Sequence, residues 1–186
     1  MNVMEANAAC AANGQLKEVG AFSKVFRTDE LNNIVAGEQF TIPEDYKIYR
    51  QPITRGGQPV EDQNGDPVYA EFINVKTNTN RVVRFYPTSI CKIAFPVTDD
   101  GKNLLENDKW VPVRSKGTLV NFAKGKAIND VMIALKGCTV ECKTMTPVKV
   151  RRFGVKEEDA TAKDVETNNI GEWNIIGKKK PVGWTD

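Results

Sequence analysis

Three pairs of adjacent carboxylates are the first residues in this sequence that could do acid–base or metal chemistry. They are Glu61/Asp62, Asp99/Asp100 and Glu157/Glu158. Each pair falls in a polar, loop-like stretch, and adjacent side chains of an extended chain point in opposite directions. Glycoside hydrolysis needs two carboxyl groups that face each other across a substrate. We therefore interpret these pairs as solvated loop charges and predict no catalytic residue among them.

Histidine is absent from all 186 residues. A Ser–His–Asp triad, a Cys–His pair and zinc sites that need imidazole are therefore excluded. Cys138 and Cys142 would lie about 13 Å apart on one strand, at about 3.3 Å per residue, and a disulfide cannot span that distance. We expect these two thiols, with Cys10 and Cys91, to be small core side chains in a reducing compartment. We predict no metal and no cofactor.

Basic and aromatic side chains occur together on two predicted strands, a combination that can bind nucleic acid. The candidates are Arg81, Arg84, Lys149, Arg151 and Arg152. On a small β-barrel, such a face can stack bases and neutralise phosphates. The alternative is a set of exposed basic residues whose aromatic neighbours lie inside. The formal net charge of +2 is small for a nucleic-acid-binding domain, so single-strand binding is our second hypothesis.

The stretch from Ala127 to Phe153 contains the elements that would position these side chains. Apolar residues at 128, 131, 132 and 135 follow the 3.6-residue period of a helix, and Gly137 is a typical helix terminator. After Gly137 the period changes to two, which predicts a long strand that is buried on one side. Pro147 cannot donate to a ladder, so we expect an edge, a bulge or a bend there.

Shorter strands are predicted on either side of this stretch. They cover residues 46–53, 68–75, 81–86, 90–97, 110–113 and 117–122, with Cys91, Ile93, Phe95 and Val97 on one side of the fourth. The second and third form the best hairpin, and Gly56-Gly57 is a hairpin-type turn. The pattern predicts a β-rich α+β fold. We expect a small antiparallel barrel or sandwich, of which an OB-like barrel is one form, with one short helix and extended N- and C-terminal arms.

Composition divides the chain into an N-terminal arm (1–37), a β-rich core domain (38–155) and a C-terminal tail (156–186). Residues 156–169 are charged and weakly apolar, which predicts a solvated linker. The docking segment 171–186 is aromatic, which suits a tail that folds back onto its own sheet or one that docks on a neighbouring subunit. The predicted partner-binding residues are Phe22, Phe26, Trp173, Ile175, Ile176 and Trp184.

Three stretches together resemble small virion proteins of crAss-like tailed bacteriophages of gut Bacteroidales. They are EQFTIPEDYKIYR (38–50), RVVRFYPTSICKIAFPV (81–97) and ALKGCTVECKTMTPVKVRRFG (134–154). The chain resembles an auxiliary (decoration) capsid protein of that group over residues 38–155, and the resemblance transfers no functional residue.

This resemblance implies a non-enzymatic structural component of a virus particle, present in many copies. Such a protein would contact the major capsid protein and neighbouring virion subunits. It would be made in the bacterial cytoplasm and located in the capsid. The sequence has no apolar run of about 20 residues, so we expect no membrane partner.

Overall fold

A computed structural model describes residues 34–185 of the chain. In chain order its strands are β1 (Gln39–Thr41), β2 (Tyr49–Pro52), β3 (Thr54–Arg55), β4 (Gln58–Pro59), β5 (Tyr69–Lys76), β6 (Val82–Phe85), β7 (Ile93–Ala94), β8 (Leu105–Glu106), β9 (Lys109–Trp110), β10 (Val113–Arg114), β11 (Thr139–Arg151) and β12 (Val165–Ile176). Within residues 34–185, two helices, α1 (Thr118–Ala123) and α2 (Ile128–Leu135), precede β11, and short 3₁₀ turns cover Ser89–Cys91 and Ala162–Asp164.

The strands form antiparallel sheets of two or three strands. The larger sheets have the orders β1-β11-β12 and β2-β5-β6, and the smaller ones pair β3 with β4, β7 with β10, and β8 with β9. An isolated bridge between Phe40 and Thr77 connects the two larger sheets. The predicted fold class is confirmed, because the described chain is β-rich with short helices and several antiparallel sheets, consistent with a small β-sandwich.

Most predicted elements are found close to their expected positions. The best predicted hairpin is β5–β6, with Ile73 opposite Phe85, and the Gly56-Gly57 turn connects β3 to β4. The predicted helix is α2, and Gly137 follows it with φ of +72°. The segment predicted as strand 90–97 instead begins as a 3₁₀ turn and contains only the two-residue β7.

The prediction of a strand at residues 117–122 is wrong, because this segment forms helix α1. Its buried side chains are Leu119, Val120, Phe122 and Ala123, which share one face of a helix. Six apolar-rich residues are too few for periodicity to separate a buried helix from a buried strand.

Two separate cores lie on opposite faces of the β11–β12 hairpin. The main core combines side chains from both larger sheets and both helices, including Val140, Cys142, Trp173 and Ile175. The second core is smaller and contains Ala94, Val148, Val150 and Ile170, with Val113 packed against it. Because β12 alternates without interruption, Trp173 and Ile175 face one side of the hairpin and Ile170 faces the other.

A β-bulge at Lys143 allows side chains of β11 to contribute to both cores. Cys142 pairs with Trp173 and Thr144 with Glu172, so Lys143 is the extra residue. Inserting one residue turns the later side chains to the opposite face. Val148 and Val150 therefore lie in the second core, on the opposite face of β11 from Val140 and Cys142. All four residues are at even-numbered positions, so uninterrupted alternation would have placed them on one face.

Pro147 is not the site of the irregularity and leaves the β11–β12 ladder intact. Val97 donates its backbone N–H to the Lys149 carbonyl (2.9 Å), so the peptide groups of Lys149 point away from β12. Peptide groups two residues apart on a strand point the same way. A backbone N–H at position 147 would therefore point away from β12, so Pro147, which lacks this group, removes no hydrogen bond from the β11–β12 ladder.

Much of the predicted tail belongs to the body of the fold. Strand β12 pairs with β11 along its whole length. This part of the tail therefore folds back onto its own sheet, which is one of the two predicted alternatives. The interpretation of residues 156–169 as a solvated linker is corrected at both ends. Residues 165–169 lie in β12, and Lys102 Nζ donates to the carbonyls of Glu157 (2.7 Å) and Ala160 (3.2 Å). Of the predicted N-terminal arm (1–37), the structure describes only residues 34–37.

A buried carboxylate connects the start of β1 to the β5–β6 turn. Glu38 is 1% exposed and accepts hydrogen bonds from Thr79 Oγ1 (2.7 Å), Arg81 Nη1 (3.0 Å) and the Val35 backbone N–H (2.9 Å). Thr77 Oγ1 is a more distant donor at 3.3 Å. A buried charge is tolerated when it is paired and fully hydrogen-bonded, as it is here.

Cys138 and Cys142 are free thiols in the main core, as predicted, and Cys91 is a half-buried free thiol. Cys10 lies outside the described residues. Burial, together with the nearby carboxylates of Glu38 and Glu141, raises the pKa of the Cys142 thiol to about 11. Burial also raises the pKa of Cys91 and Cys138.

We expect Cys142 to resist alkylation by iodoacetamide at pH 8 in the native protein. Only the thiolate reacts, and a pKa about two units higher lowers the thiolate fraction roughly a hundredfold. Peptide-level mass spectrometry at successive times should show slow labelling of Cys142 in buffer and rapid labelling in urea. Similar rates in the two conditions would contradict its burial.

Candidate docking surface

Arg81 and Arg84, two of the predicted nucleic-acid-binding residues, are held inside the protein. Arg81 forms the ion pair with Glu38 at 3.0 Å. Arg84 is buried, its guanidinium lies 4.3 Å from the centroid of the Phe72 ring, and its Nη1 donates to Gln51 Oε1 (2.8 Å). Neither guanidinium is presented on an open strand face, so the interpretation of these two residues as phosphate contacts is corrected.

The three other basic candidates lie near the end of β11, and each has a partner within the protein; that of Arg152 is the Lys163 carbonyl, to which its Nη2 donates (3.4 Å). Arg151 donates to the carbonyl oxygens of Val155 (3.0 Å) and Gly101 (2.9 Å) and to Asn103 Oδ1 (2.9 Å). This residue therefore connects separate loops. Lys149 pairs with Asp99 on the surface. Arg152 is exposed.

The predicted partner-binding residues of the C-terminal segment are mostly internal. Trp173 and Ile175 are buried in the main core, with the Trp173 and Phe85 ring centroids 5.8 Å apart. Their interpretation as docking side chains is corrected, because a partner could reach them only if β12 left its sheet. Ile176 is half-buried in β12. Trp184 is half-buried and packs on Phe122 with 6.1 Å between ring centroids. Phe22 and Phe26 lie outside the described residues.

A cluster of exposed apolar side chains lies next to the second core, at the end of β11. We define the Phe153 patch as Ile93, Phe95, Trp110 and Phe153, which line one groove of about 380 Å³. Phe153 is 87% exposed, Ile93 47% and Phe95 43%. Three further exposed apolar residues, Leu104, Leu105 and Val111, lie in or next to the adjoining β8–β9 hairpin.

The base of the Phe153 patch is firmly held. The Phe95 and Trp110 ring centroids are 4.8 Å apart, and Trp110 Nε1 donates to the Pro96 carbonyl (2.8 Å). The Arg151 guanidinium lies 5.3 Å from the centroid of the Trp110 ring. Trp110 is therefore fixed by a hydrogen bond on one side and by a cation on another. Arg151 acts here as a support for aromatic side chains rather than as an exposed cation.

Sequence reasoning missed this patch because it treats apolar strand residues as buried. The predicted strand 90–97 placed Ile93 and Phe95 on one side with Val97, but the structure buries Ala94 and Val97 and exposes the other two. In the sequence, Phe153 stands out only as an aromatic neighbour of basic residues. Its position just after a long strand, in RRFG, is the one local signal that favours a loop.

Among residues 34–185, His, Cys, Asp and Glu side chains form no group of three that could hold a metal ion. Within that range, no helix is long and apolar enough to cross a membrane. Comparison with protein-family models, with curated proteins and with solved structures gives no match.

Proposed function

We propose that this chain is a non-enzymatic structural protein that docks on a larger assembly through the Phe153 patch. The observation that carries the proposal is the 87% exposure of Phe153 beside the exposed side chains of Ile93 and Phe95. Clustered exposed apolar surface of this kind is a mark of protein interaction sites. Burying one such aromatic side chain contributes about 1.5–3 kcal/mol.

The surroundings of the patch also suit a protein partner. Its centre is aromatic and apolar, and the polar side chains of Arg152, Glu166 and Asn168 line the same groove. Protein interfaces commonly have an apolar centre rich in aromatic residues and a polar rim. The rigid support of Trp110 lowers the entropy lost on binding, because its ring is already ordered.

The partner that we propose is the major capsid protein of a virus particle. This part rests on the resemblance of residues 38–155 to auxiliary capsid proteins of crAss-like phages. In that setting the chain would lie in the capsid as an auxiliary protein and would bury the Phe153 patch against the shell. Nucleic-acid binding loses support, because Arg81, Arg84 and Arg151 have internal partners.

The test is the substitution Phe153→Asp, measured by co-sedimentation with shells assembled from the major capsid protein. Phe153 is mostly exposed, so we expect an unchanged thermal midpoint but at least about a tenfold loss of affinity for the shell, as is typical of an interface hot spot. The matched control is Val182→Asp, because Val182 is 78% exposed and lies in the C-terminal segment. This control should bind like wild type.

Wild-type binding by the Phe153→Asp variant would exclude the patch as the docking surface. A wild-type protein that leaves the particle after nuclease treatment would favour nucleic acid as the partner. In that case, Arg152→Glu should reduce the salt-dependent affinity for single-stranded DNA.

A further inference from the structure

A partly open cavity of about 140 Å³ adjoins the main core. Five side chains form its apolar walls, namely Ile34, Phe85, Ile90, Met145 and Trp173. Four of them belong to the main core, and Met145 packs against it. The groove of the Phe153 patch is instead lined by Ala94 and Val150 of the second core. The cavity and the Phe153 patch are therefore separate surfaces.

The size and walls of the cavity suit one aromatic ring. An apolar cavity of about 150 Å³ can hold a single benzene molecule. Phe85 and Trp173 already form an aromatic pair with 5.8 Å between ring centroids. A third ring beside them would gain the attraction of aromatic pairs, and the thioether of Met145 also favours contact with a ring.

The indole N–H of Trp173 provides a hydrogen-bond donor at this cavity. Trp173 is only 7% exposed, and within residues 34–185 no group accepts its Nε1–H. A Cβ atom on Gly171 would lie 2.5 Å from Nε1, so the N–H edge of the indole lies over Gly171. Met145 is opposite Gly171, and Asn169 is the next residue on the same face of β12. Both line the cavity, so the donor faces the side where an occupant would lie.

The rim of the cavity is polar and carries positive charge. No lining residue is acidic, and the polar ones are Arg84, Tyr86, Ser89, Lys92, Ser115 and Asn169. The Arg84 guanidinium is already held by Gln51 and Phe72.

Lys92 is the cation of the rim that has no partner among residues 34–185. Its side chain reaches solvent, yet neighbouring atoms bury the amine enough to lower its pKa. A partly desolvated ammonium is stabilised by an anion beside it. Lys92 and the Trp173 N–H therefore both favour an occupant with a negatively charged acceptor.

We propose that this cavity is a binding site for a monocyclic aromatic carboxylate. The ring would pack against Phe85, Ile90 and Trp173. The carboxylate would remain at the rim and accept hydrogen bonds from Trp173 Nε1 and Lys92 Nζ, with the hydroxyls of Ser89 and Ser115 as further donors. This inference does not rest on the proposed docking function, because no lining residue belongs to the Phe153 patch, so the two proposals can fail separately.

The experiment is a titration of the full-length, ¹⁵N-labelled protein with sodium benzoate, followed by NMR through the indole N–H signals of its three tryptophans. Trp110→Phe and Trp184→Phe identify the other two signals and leave Trp173 in place. We expect the Trp173 signal to shift and to saturate with a dissociation constant of about 1 mM, as is usual for a ligand of this size. The signals of Trp110 and Trp184 should stay unchanged.

Two lysine variants test the charge at the rim. Lys92→Gln should weaken benzoate binding about tenfold, which is the effect of losing one charge-assisted hydrogen bond. The matched control is Lys163→Gln, because Lys163 is also exposed but lies in the second 3₁₀ turn, away from the cavity. This control should bind benzoate like wild type.

Three results would overturn the proposal. A Trp173 signal that does not move at about 10 mM benzoate, roughly ten times the expected dissociation constant, would exclude the site. An equal response to acetate would show that the protein binds an anion without its ring. Benzyl alcohol that binds as tightly as benzoate, with unchanged benzoate affinity in Lys92→Gln, would show that the cavity has no preference for a carboxylate.

Discussion

Replacing Glu38 by glutamine is expected to lower the free energy of unfolding by about 3 kcal/mol. Glu38 is almost fully buried and accepts hydrogen bonds from Thr79, Arg81 and the Val35 backbone. A glutamine oxygen can accept only part of this set, and its NH₂ group would face donors. Removing one partner of a buried ion pair typically costs 3–5 kcal/mol, and Arg81 retains some contact with water, which favours the lower end. The change in the free energy of unfolding is measured by urea denaturation, with circular dichroism as the probe.

The control for Glu38 is the double variant Glu38→Gln/Arg81→Met. Removing both partners leaves no uncompensated charge, so the loss should be smaller than the sum of the two single losses. Glu44 provides a second comparison, because its partners Lys136 and Lys179 lie on the surface. Glu44→Gln should leave the denaturation curve unchanged. Equal effects at Glu38 and Glu44 would show that the buried carboxylate is not a structural anchor.

Replacing Gly117 by alanine should have an effect at least as large, about 4 kcal/mol. Gly117 precedes α1 with φ of +110°, where L side chains are strained. A Cβ atom there would also lie 2.2 Å from the Trp173 carbonyl oxygen. That carbonyl belongs to β12, and the neighbouring Lys116 carbonyl accepts the Trp173 N–H at 2.9 Å. The clash can be relieved only if α1 moves away from β12, which breaks this contact.

Gly125→Ala is the matched control for this substitution. Gly125 also has positive φ (+76°), but no atom lies within 4 Å of the added carbon. The loss of stability in Gly125→Ala should be limited to the cost of placing alanine at a positive φ, about 1–2 kcal/mol. The difference between the two variants in thermal denaturation isolates the steric clash. Equal losses would mean that α1 and β12 are not held at the observed separation.

Elements with long, regular patterns could be predicted from the sequence. Helix α2 and strand β11 show their periods over eight and thirteen residues, and Gly137 marks the boundary between them. Helix α1 could not be separated from a strand, because six residues contain too little periodicity. Its start depends on the positive φ of Gly117 and on contact with β12, and neither is visible locally.

The bulge at Lys143 shows a second limit of sequence reasoning. Apolar residues occupy even-numbered positions of β11 both before the irregularity (Val140, Cys142) and after it (Val148, Val150), and only Met145 is out of phase, so the strand alone gives little sign that its faces have changed. Only the register against β12 reveals the extra residue. The two cores of the hairpin were therefore beyond a prediction made from one strand at a time.

The candidate site was harder to predict than the fold. The sequence indicates that an aromatic residue in a polar segment packs against apolar side chains. It does not indicate whether those side chains belong to the same chain or to a partner. Trp173 obtains that contact from its own core, whereas Phe153 remains exposed. Basic residues have the same ambiguity. Arg84 and Arg152 have similar sequence contexts, but Arg84 is buried and Arg152 is exposed.

Strand β12 also has a consequence for synthesis of the protein on the ribosome. Strand β1 must wait for β11, which lies about a hundred residues later, and β11 in turn needs β12 to cover its edge. Until residue 176 has left the exit tunnel, the apolar faces of β5, β6 and β11 have no complete set of neighbours. Native packing therefore cannot be completed before residue 176 is available, and until then the incomplete sheets leave apolar surface exposed to aggregation.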